Sequence, residues 1–587
     1  MGNQSTKRAP RRSKQAAGKA VRSSKAAVPA AAARGLALTR AFLMTASRER
    51  WLLALLASAC LLPFLNKAFH IDDPLFLWAA KHIVAHPLDP YGFPVVWYRT
   101  AMPMSKVMKN PPFASYLLAL VGSWAGWSEP VLHLVSLLPA LGVIFATHQL
   151  AREMTRSPLV VAVAVLATPV FLISATSVMC DVPMLALWMF AILFWRKGLG
   201  EGRFRWLAIA AVLIGLGSLT KYFGVSLIPL LFLYSIWTKR RVGLWALYFL
   251  IPVLMLSAYQ LWTGSLYENG LLSGLGDYVT QARSGNPASV AGSFLVAMSF
   301  TGGCALPALV LAPWLWSRRW IIAAGGLSII GAAAVAFSWV PTGIPFAGEH
   351  QTLLAVELAL FLVGGASALS LAVADFWRKK DSDSVLLLAW VLGTFLFAAF
   401  LNWTVNGRSV LPMIPAVALL LARRLEVAPK SDQSYVVTGA LALALILSVW
   451  VAAGDAALAN SARTAAREIH NRATVQMKRI LFAGHWGFQY YLQSLGGVEI
   501  DSHQVEPTLL DIVVIPRNNT NTDIPRPAAG PEETVSIKMD TGVTTVGAGA
   551  GFYSSLWGPL PYAFEPVAAE RYDLYAVQEF LENSPAR

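Results

Sequence analysis

The stretch Pro158–Trp195, PLVVAVAVLATPVFLISATSVMCDVPMLALWMFAILFW, decides what kind of molecule this is. Asp181 is its only charged residue. As one helix, its 38 residues would extend about 57 Å at 1.5 Å per residue. The hydrocarbon core of a bilayer is only about 30 Å thick, so the run must turn. The strongest break is Cys180-Asp181-Val182-Pro183. The stretch therefore reads as two crossings with a carboxylate at their junction.

Trp206–Trp237 poses the same problem at about 48 Å, and its break is Thr220-Lys221-Tyr222. The rest of the chain agrees. It has 587 residues, 56% hydrophobic and 13% charged, with mean hydropathy +0.54. These values exclude an ordinary soluble domain. The long, non-alternating runs exclude an outer-membrane barrel. Lys and Arg give a net charge of +15, but they gather in the N-terminal tail and in short loops beside apolar runs. That is the positive-inside pattern, and it argues against a nucleic-acid partner. Cys60, Cys180 and Cys304 lie in or beside apolar segments without CxxC spacing, which speaks against zinc or a disulfide framework.

Working outward gives thirteen spans. They are 51–68, 131–150, two within 158–195, two within 206–237, 244–262, 291–314, 320–340, 352–373, 384–401, 409–421 and 435–450. The predicted fold is mainly α, a polytopic helical bundle with a small C-terminal α/β or α+β domain. A basic, disordered, cytoplasmic tail covers 1–47, and the membrane domain covers 48–453, with a long first outer loop at 69–127. The C-terminal domain, 454–587, is expected outside, where short β-rich runs such as LLDIVVIPR alternate with the helix candidate WGFQYYLQSLGG.

This topology places Asp72, Asp73, Asp181, Lys221 and Arg408 on one side. Ionisable residues at span ends are costly and mark functional sites. Carboxylates suit a general base or a metal, and cations suit a phosphate. Each position also has a purely structural explanation. Asp181 could cap a helix before Val182-Pro183, Asp73 could cap one starting near Pro74, and Lys221 or Arg408 could snorkel to headgroups. Adjacent helical residues diverge by about 100°, so Asp72 and Asp73 are not expected to share one task.

Several segments, in order, resemble a known family. They are IDDPLFLWAA, NPPFASYLLAL, SATSVMCDVPMLALWMFAILFW, GLGSLTKYFGVSLIPLLF and NGRSVLPMIPAVALLLA, spread over roughly residues 50–450. The chain resembles GT-C class integral-membrane glycosyltransferases. The branch is that of dolichyl-phosphate-mannose protein mannosyltransferases, aminoarabinose transferases and related lipopolysaccharide sugar transferases. Asp73 stands where Glu is common, Ser409 where an aromatic residue often follows the Arg, and no MIR-type domain is evident.

The resemblance implies inverting transfer of a sugar from a polyprenyl-phosphate donor to a hydroxyl of a lipid, glycan or protein, at the outer face of a bacterial inner membrane. It implies Asp72 as base, Asp73 and Asp181 as further catalytic carboxylates, and Lys221 and Arg408 on the phosphate. Lys106, Lys109 and Arg99 of the first loop are additional phosphate candidates. Whether a divalent metal takes part stays open, since three Asp residues do not settle it. The rival readings are a transporter or flippase of a lipid-linked or anionic substrate, and a membrane scaffold or sensor working through its C-terminal domain. In that domain His485 beside Trp486 reads as structural, and the glycines of VGAGAGF, 546–552, read as serving a turn or close packing.

Overall fold

Apolar runs fold as helices because a bilayer offers no partner for an unpaired backbone N–H or C=O. A computed structural model describes residues 47–577, apart from 99, 275, 277–287, 344–345, 347–349, 428–432, 501–507, 509–510, 521, 523, 525, 527–529 and 548. Almost all of the basic tail and Arg99 therefore lie outside the described residues. Among those described, eight helices are long and apolar enough to cross a membrane, or nine if the bent pair Pro158–Leu166 and Pro169–Ala175 is one span. The chain is a multi-pass membrane protein with a mainly helical fold.

The quoted stretch turns more than once. Its first half bends by 66° between Pro158–Leu166 and Pro169–Ala175, and residues 176–180 then lead into the helix Asp181–Glu201. Pro169 removes a backbone donor at the bend. Proline also breaks two of the other expected crossings. The 291–314 run divides into Val290–Cys304, Leu306–Val310 and Ala312–Leu315, and the 409–421 run divides near Pro412 and Pro415. Val290–Cys304 packs closely on Gln351–Lys379 through facing glycines. A Cβ on Gly302 would lie 1.8 Å from the Phe361 carbonyl oxygen, and one on Gly365 would lie 2.3 Å from that of Met298. Small residues let membrane helices approach in this way.

The helix Gln433–Val475 has 43 residues, about 64 Å of rise, which is twice the hydrocarbon thickness. It runs unbroken through position 454, where the sequence places the domain boundary. Its far end packs against a five-stranded sheet ordered 498–499, 479–482, 511–516, 570–576, 533–537. The first three strands are parallel and the last two pair antiparallel. The helix Trp486–Ser494 connects 479–482 to 498–499 and lies against the first loop, so closely that a Cβ on Gly487 would meet the Phe69 carbonyl oxygen at 2.1 Å.

One buried ion pair ties these parts together. Lys67 Nζ donates to Asp455 Oδ2 at 2.6 Å, with neither side chain exposed. Asp455 also accepts from Thr545 Oγ1 at 2.7 Å and from the Tyr553 hydroxyl at 3.0 Å. The end of the first span, the long helix and the 541–565 segment therefore converge on one carboxylate. Around it, Ala68 N–H donates to Asn460 Oδ1 and Phe69 N–H to the Tyr491 hydroxyl.

Removing one partner of a buried pair strands the other charge. Lys67→Met is expected to cost about 3–5 kcal/mol, read as a lower unfolding midpoint in detergent. Adding Asp455→Asn should recover part of the loss. An unchanged midpoint for Lys67→Met would show that the pair holds nothing together.

Candidate active site

The first loop folds back at residues 70–73. Ile71 is held at φ 49°, a left-handed conformation that is costly for a β-branched residue. The turn brings the Asp73 N–H to the His70 carbonyl at 3.0 Å and starts the helix Asp73–Ala85. Asp72 takes the N-cap position but makes no capping hydrogen bond, which leaves its carboxylate available for other partners. Asp73, expected as the cap, is the first helical residue and points elsewhere. It is buried, and its Oδ2 accepts from His70 N–H at 2.9 Å and its Oδ1 from Val178 N–H at 3.0 Å. It clasps the first loop to the turn before Asp181. The two neighbours thus have separate tasks, as the 100° divergence of adjacent helical side chains requires.

Asp181 occupies the first turn of its helix, and Cys180 rather than Asp181 holds the cap position. Lys221 lies between Phe204–Thr220 and the short helix Tyr222–Ser226. That junction is tight because Gly224 abuts the first helix, where a Cβ would fall 2.5 Å from the Ser218 nitrogen. Lys221 Nζ is paired with Asp181. Arg408 is presented by the short helix Gly407–Val410, behind an Asn406–Ser409 capping box. Its Nη2 lies 2.9 Å from Asp72 Oδ2.

Both pairs line one cavity of about 930 Å³. The membrane helices give it apolar walls, including Phe223, Val225, Leu256, Phe397 and Leu401. Lys109 also lines it, its ammonium pushed down by burial and its Nζ donating to the Lys106 carbonyl at 2.5 Å. Lys106 is exposed and 3.9 Å from Glu268, away from the cavity wall. The cavity thus brings together Asp72, Asp181, Lys221, Arg408 and Lys109, and not Asp73 or Lys106.

Arg408 is under-satisfied for a largely buried cation. Its Nη1 meets only the weak acceptor Met179 Sδ at 2.9 Å, and its Nε has no hydrogen-bond partner among the described residues. A buried guanidinium with spare donors calls for an anion. The same residues do not fit a metal site as arranged. Asp72 and Asp181 each already face a cation, and among the described residues no three His, Cys, Asp or Glu side chains converge.

The C-terminal domain supplies part of the wall, through side chains that sequence reasoning did not mark as site residues. Tyr553 lines the cavity, with the Arg408 guanidinium 5.5 Å from its ring centre, and Trp486 and Trp557 join it. The glycines of VGAGAGF serve the close packing expected of them, since a Cβ on Gly551 would sit 2.4 Å from the Ser554 carbonyl oxygen. The only signal for this wall was a dense, non-periodic mixture of Gly, Pro and aromatic residues in 551–564, which marks a packed loop without saying what it covers.

The family model for dolichyl-phosphate-mannose-protein mannosyltransferase matches residues 109–262, about a quarter of the chain. Over that segment the match agrees with the resemblance carried by the motifs. It includes Lys109, Asp181 and Lys221, while Asp72 and Arg408 lie outside it. No curated protein matches the chain. Among solved structures, ArnT from Cupriavidus metallidurans bound to undecaprenyl phosphate aligns at 16% identity over 79% of this chain and 92% of that one, with a TM-score of 0.41. The Archaeoglobus fulgidus oligosaccharyltransferase in its apo form aligns at 15% identity over 78% and 64%, with a TM-score of 0.47.

Burial pushes the Asp73 carboxyl up to about 7 from 3.8, against the pull of its two N–H donors and Lys67. A folded value above the unfolded one means that this group's contribution to stability is full below pH 3.8 and lost as pH rises through 7. Asp73→Asn cannot ionise, and its amide must face one N–H donor with another. At about pH 4 it should be less stable than the native chain by roughly 1–3 kcal/mol, and its stability should fall less than that of the native chain between about pH 4 and 7, so that the gap narrows or reverses. Equal slopes would show that Asp73 does not titrate there.

Proposed function

We propose that this chain transfers a sugar from a polyprenyl-phosphate donor to an acceptor hydroxyl, with inversion, at the cavity of Asp72, Asp181, Lys221 and Arg408. The observation that carries this reading is the under-satisfied Arg408 beside the Asp72 carboxylate, in a cavity with one wall of apolar membrane-helix side chains. A lipid-linked phosphate matches both features. Its chain fits the apolar wall, and its phosphate fits the spare guanidinium donors. The family match over 109–262 points to the same donor class.

The chemistry follows from the groups present. A phosphate is a stable leaving anion, so the reaction needs a base on the acceptor more than an acid on the leaving group. Asp72 takes the acceptor proton. The acceptor oxygen then bonds to the anomeric carbon from the side opposite the phosphate, the carbon–oxygen bond to phosphate breaks, and its electron pair stays with the phosphate. Arg408 and Lys221 hold the charge that develops there, and Asp181 orients Lys221. We assign the reaction to the outer face of a bacterial inner membrane; the outer face is supported by the positive-inside reading of the sequence, which puts the basic loops at the opposite ends of the expected spans, and the bacterial membrane by an outer domain that is not MIR-like.

Asp72→Asn should lower kcat about 10²–10⁴-fold in a sugar-transfer assay with a polyprenyl-phosphate donor. It removes a carboxylate from Arg408, so undecaprenyl-phosphate binding should hold or tighten. Arg408→Gln should show the opposite pattern, with lipid-phosphate binding lost first. A folded Asp72→Asn protein that transfers sugar at the native rate overturns the assignment. Movement of the lipid across vesicles without sugar transfer would favour a flippase.

A further inference from the structure

The wall contributed by the C-terminal domain differs in chemistry from the rest of the cavity. Its lining residues include Trp486, Thr520, Tyr553, Ser554 and Trp557, and none of them is charged. Every charged lining group comes instead from the first loop or the ends of the membrane helices. The Trp486 and Trp557 rings stand edge to face, 5.4 Å between centres. Hydroxyls and broad aromatic faces without charge suit a molecule with apolar C–H faces and a hydroxyl edge.

The fold builds this wall deliberately. The loops that follow the parallel strands 479–482 and 511–516 contribute Trp486 and Thr520 to the cavity, and open α/β sheets bind ligands on the side of their strands' carboxyl ends. Asn519 stitches the two following loops together. It accepts from His485 N–H at 2.7 Å and donates to the His485 carbonyl at 3.2 Å. Gly484 turns the chain at φ 91°, and Trp486 is held at φ 65°, a left-handed conformation that a non-glycine residue adopts only when its surroundings impose it. A strained Trp in a cavity wall points to use of its ring.

Resting on the transferase reading, we infer that the acceptor is a neutral glycan, received against Trp486 and Trp557 with hydrogen bonds to Thr520 and Ser554. A phosphorylated lipid acceptor would find no cation on this wall. A lipid chain has its own surface on the helices.

The test uses the full chain in detergent, immobilised and offered oligosaccharides released from the host cell envelope, split by anion exchange into neutral and acidic pools. Retained species are read by mass spectrometry. The native chain should retain the neutral pool. Trp486→Ala and Trp557→Ala should each reduce retention at least about tenfold, with Trp486→Phe retaining most of it. All three should bind undecaprenyl phosphate as the native chain does, which also reports that they are folded. Retention of the acidic pool alone or of nothing, undiminished retention by the Ala variants, or parallel loss of undecaprenyl-phosphate binding would overturn the inference. Asp72→Asn should retain the neutral pool while losing transfer. A native chain that retains neutral glycans but transfers no sugar would overturn the transferase reading and leave the glycan wall standing.

Discussion

The buried Lys67–Asp455 pair is the constraint on which the rest of the structure hangs. Two charges taken out of water are tolerated only when their geometry is good and their remaining donors and acceptors are met. Thr545 and Tyr553 meet those of Asp455. The pair therefore fixes three chain segments at once: the exit of the first span, the middle of the 43-residue helix, and the glycine-rich segment that carries Tyr553. The same anchor sets where Asp72 stands at the cap of its helix, five residues after Lys67, and where the C-terminal wall faces Arg408. Loosening it would leave the charged groups without the surface that closes over them.

Within that frame, the cavity lies between two environments. Membrane helices give it apolar walls and deliver Asp181, Lys221 and Arg408 at breaks in their runs. The first loop delivers Asp72 through the left-handed Ile71. Each carboxylate stands against a cation, and Lys109 adds a third cation to the wall before any substrate arrives. Arg408 also has more donors than it has acceptors. A phosphate would remove that deficit without adding an unpaired charge to a poorly solvated place.

Much of this was legible in the sequence because membrane chemistry is restrictive. Apolar runs too long for one crossing must break, and the charged residues that mark the breaks must gather where water or a substrate can reach them. Asp181 and Lys221 sit at such breaks, and they pair in space although 40 positions apart. The separation of Asp72 from Asp73 followed in kind from helical geometry, but not in direction. Which carboxylate faced the cavity depended on the turn at Ile71 and on the Val178 N–H, 105 positions away. Lys109 and Lys106 were indistinguishable as loop lysines, and packing of the first loop placed only one on the cavity wall.

The sequence by itself determined a multi-pass helical chain, its principal breaks and the set of charged residues worth attention, because a bilayer penalises every unpaired polar group locally, along the chain. The tertiary structure alone decided that Asp73 is a clasp, that Arg408 keeps spare donors, and which side chains of the loops after the parallel strands and of the glycine-rich segment complete the cavity. Those outcomes rest on contacts between residues more than a hundred positions apart, such as Lys67 with Asp455 and Arg408 with Tyr553, and no local pattern of polarity encodes them.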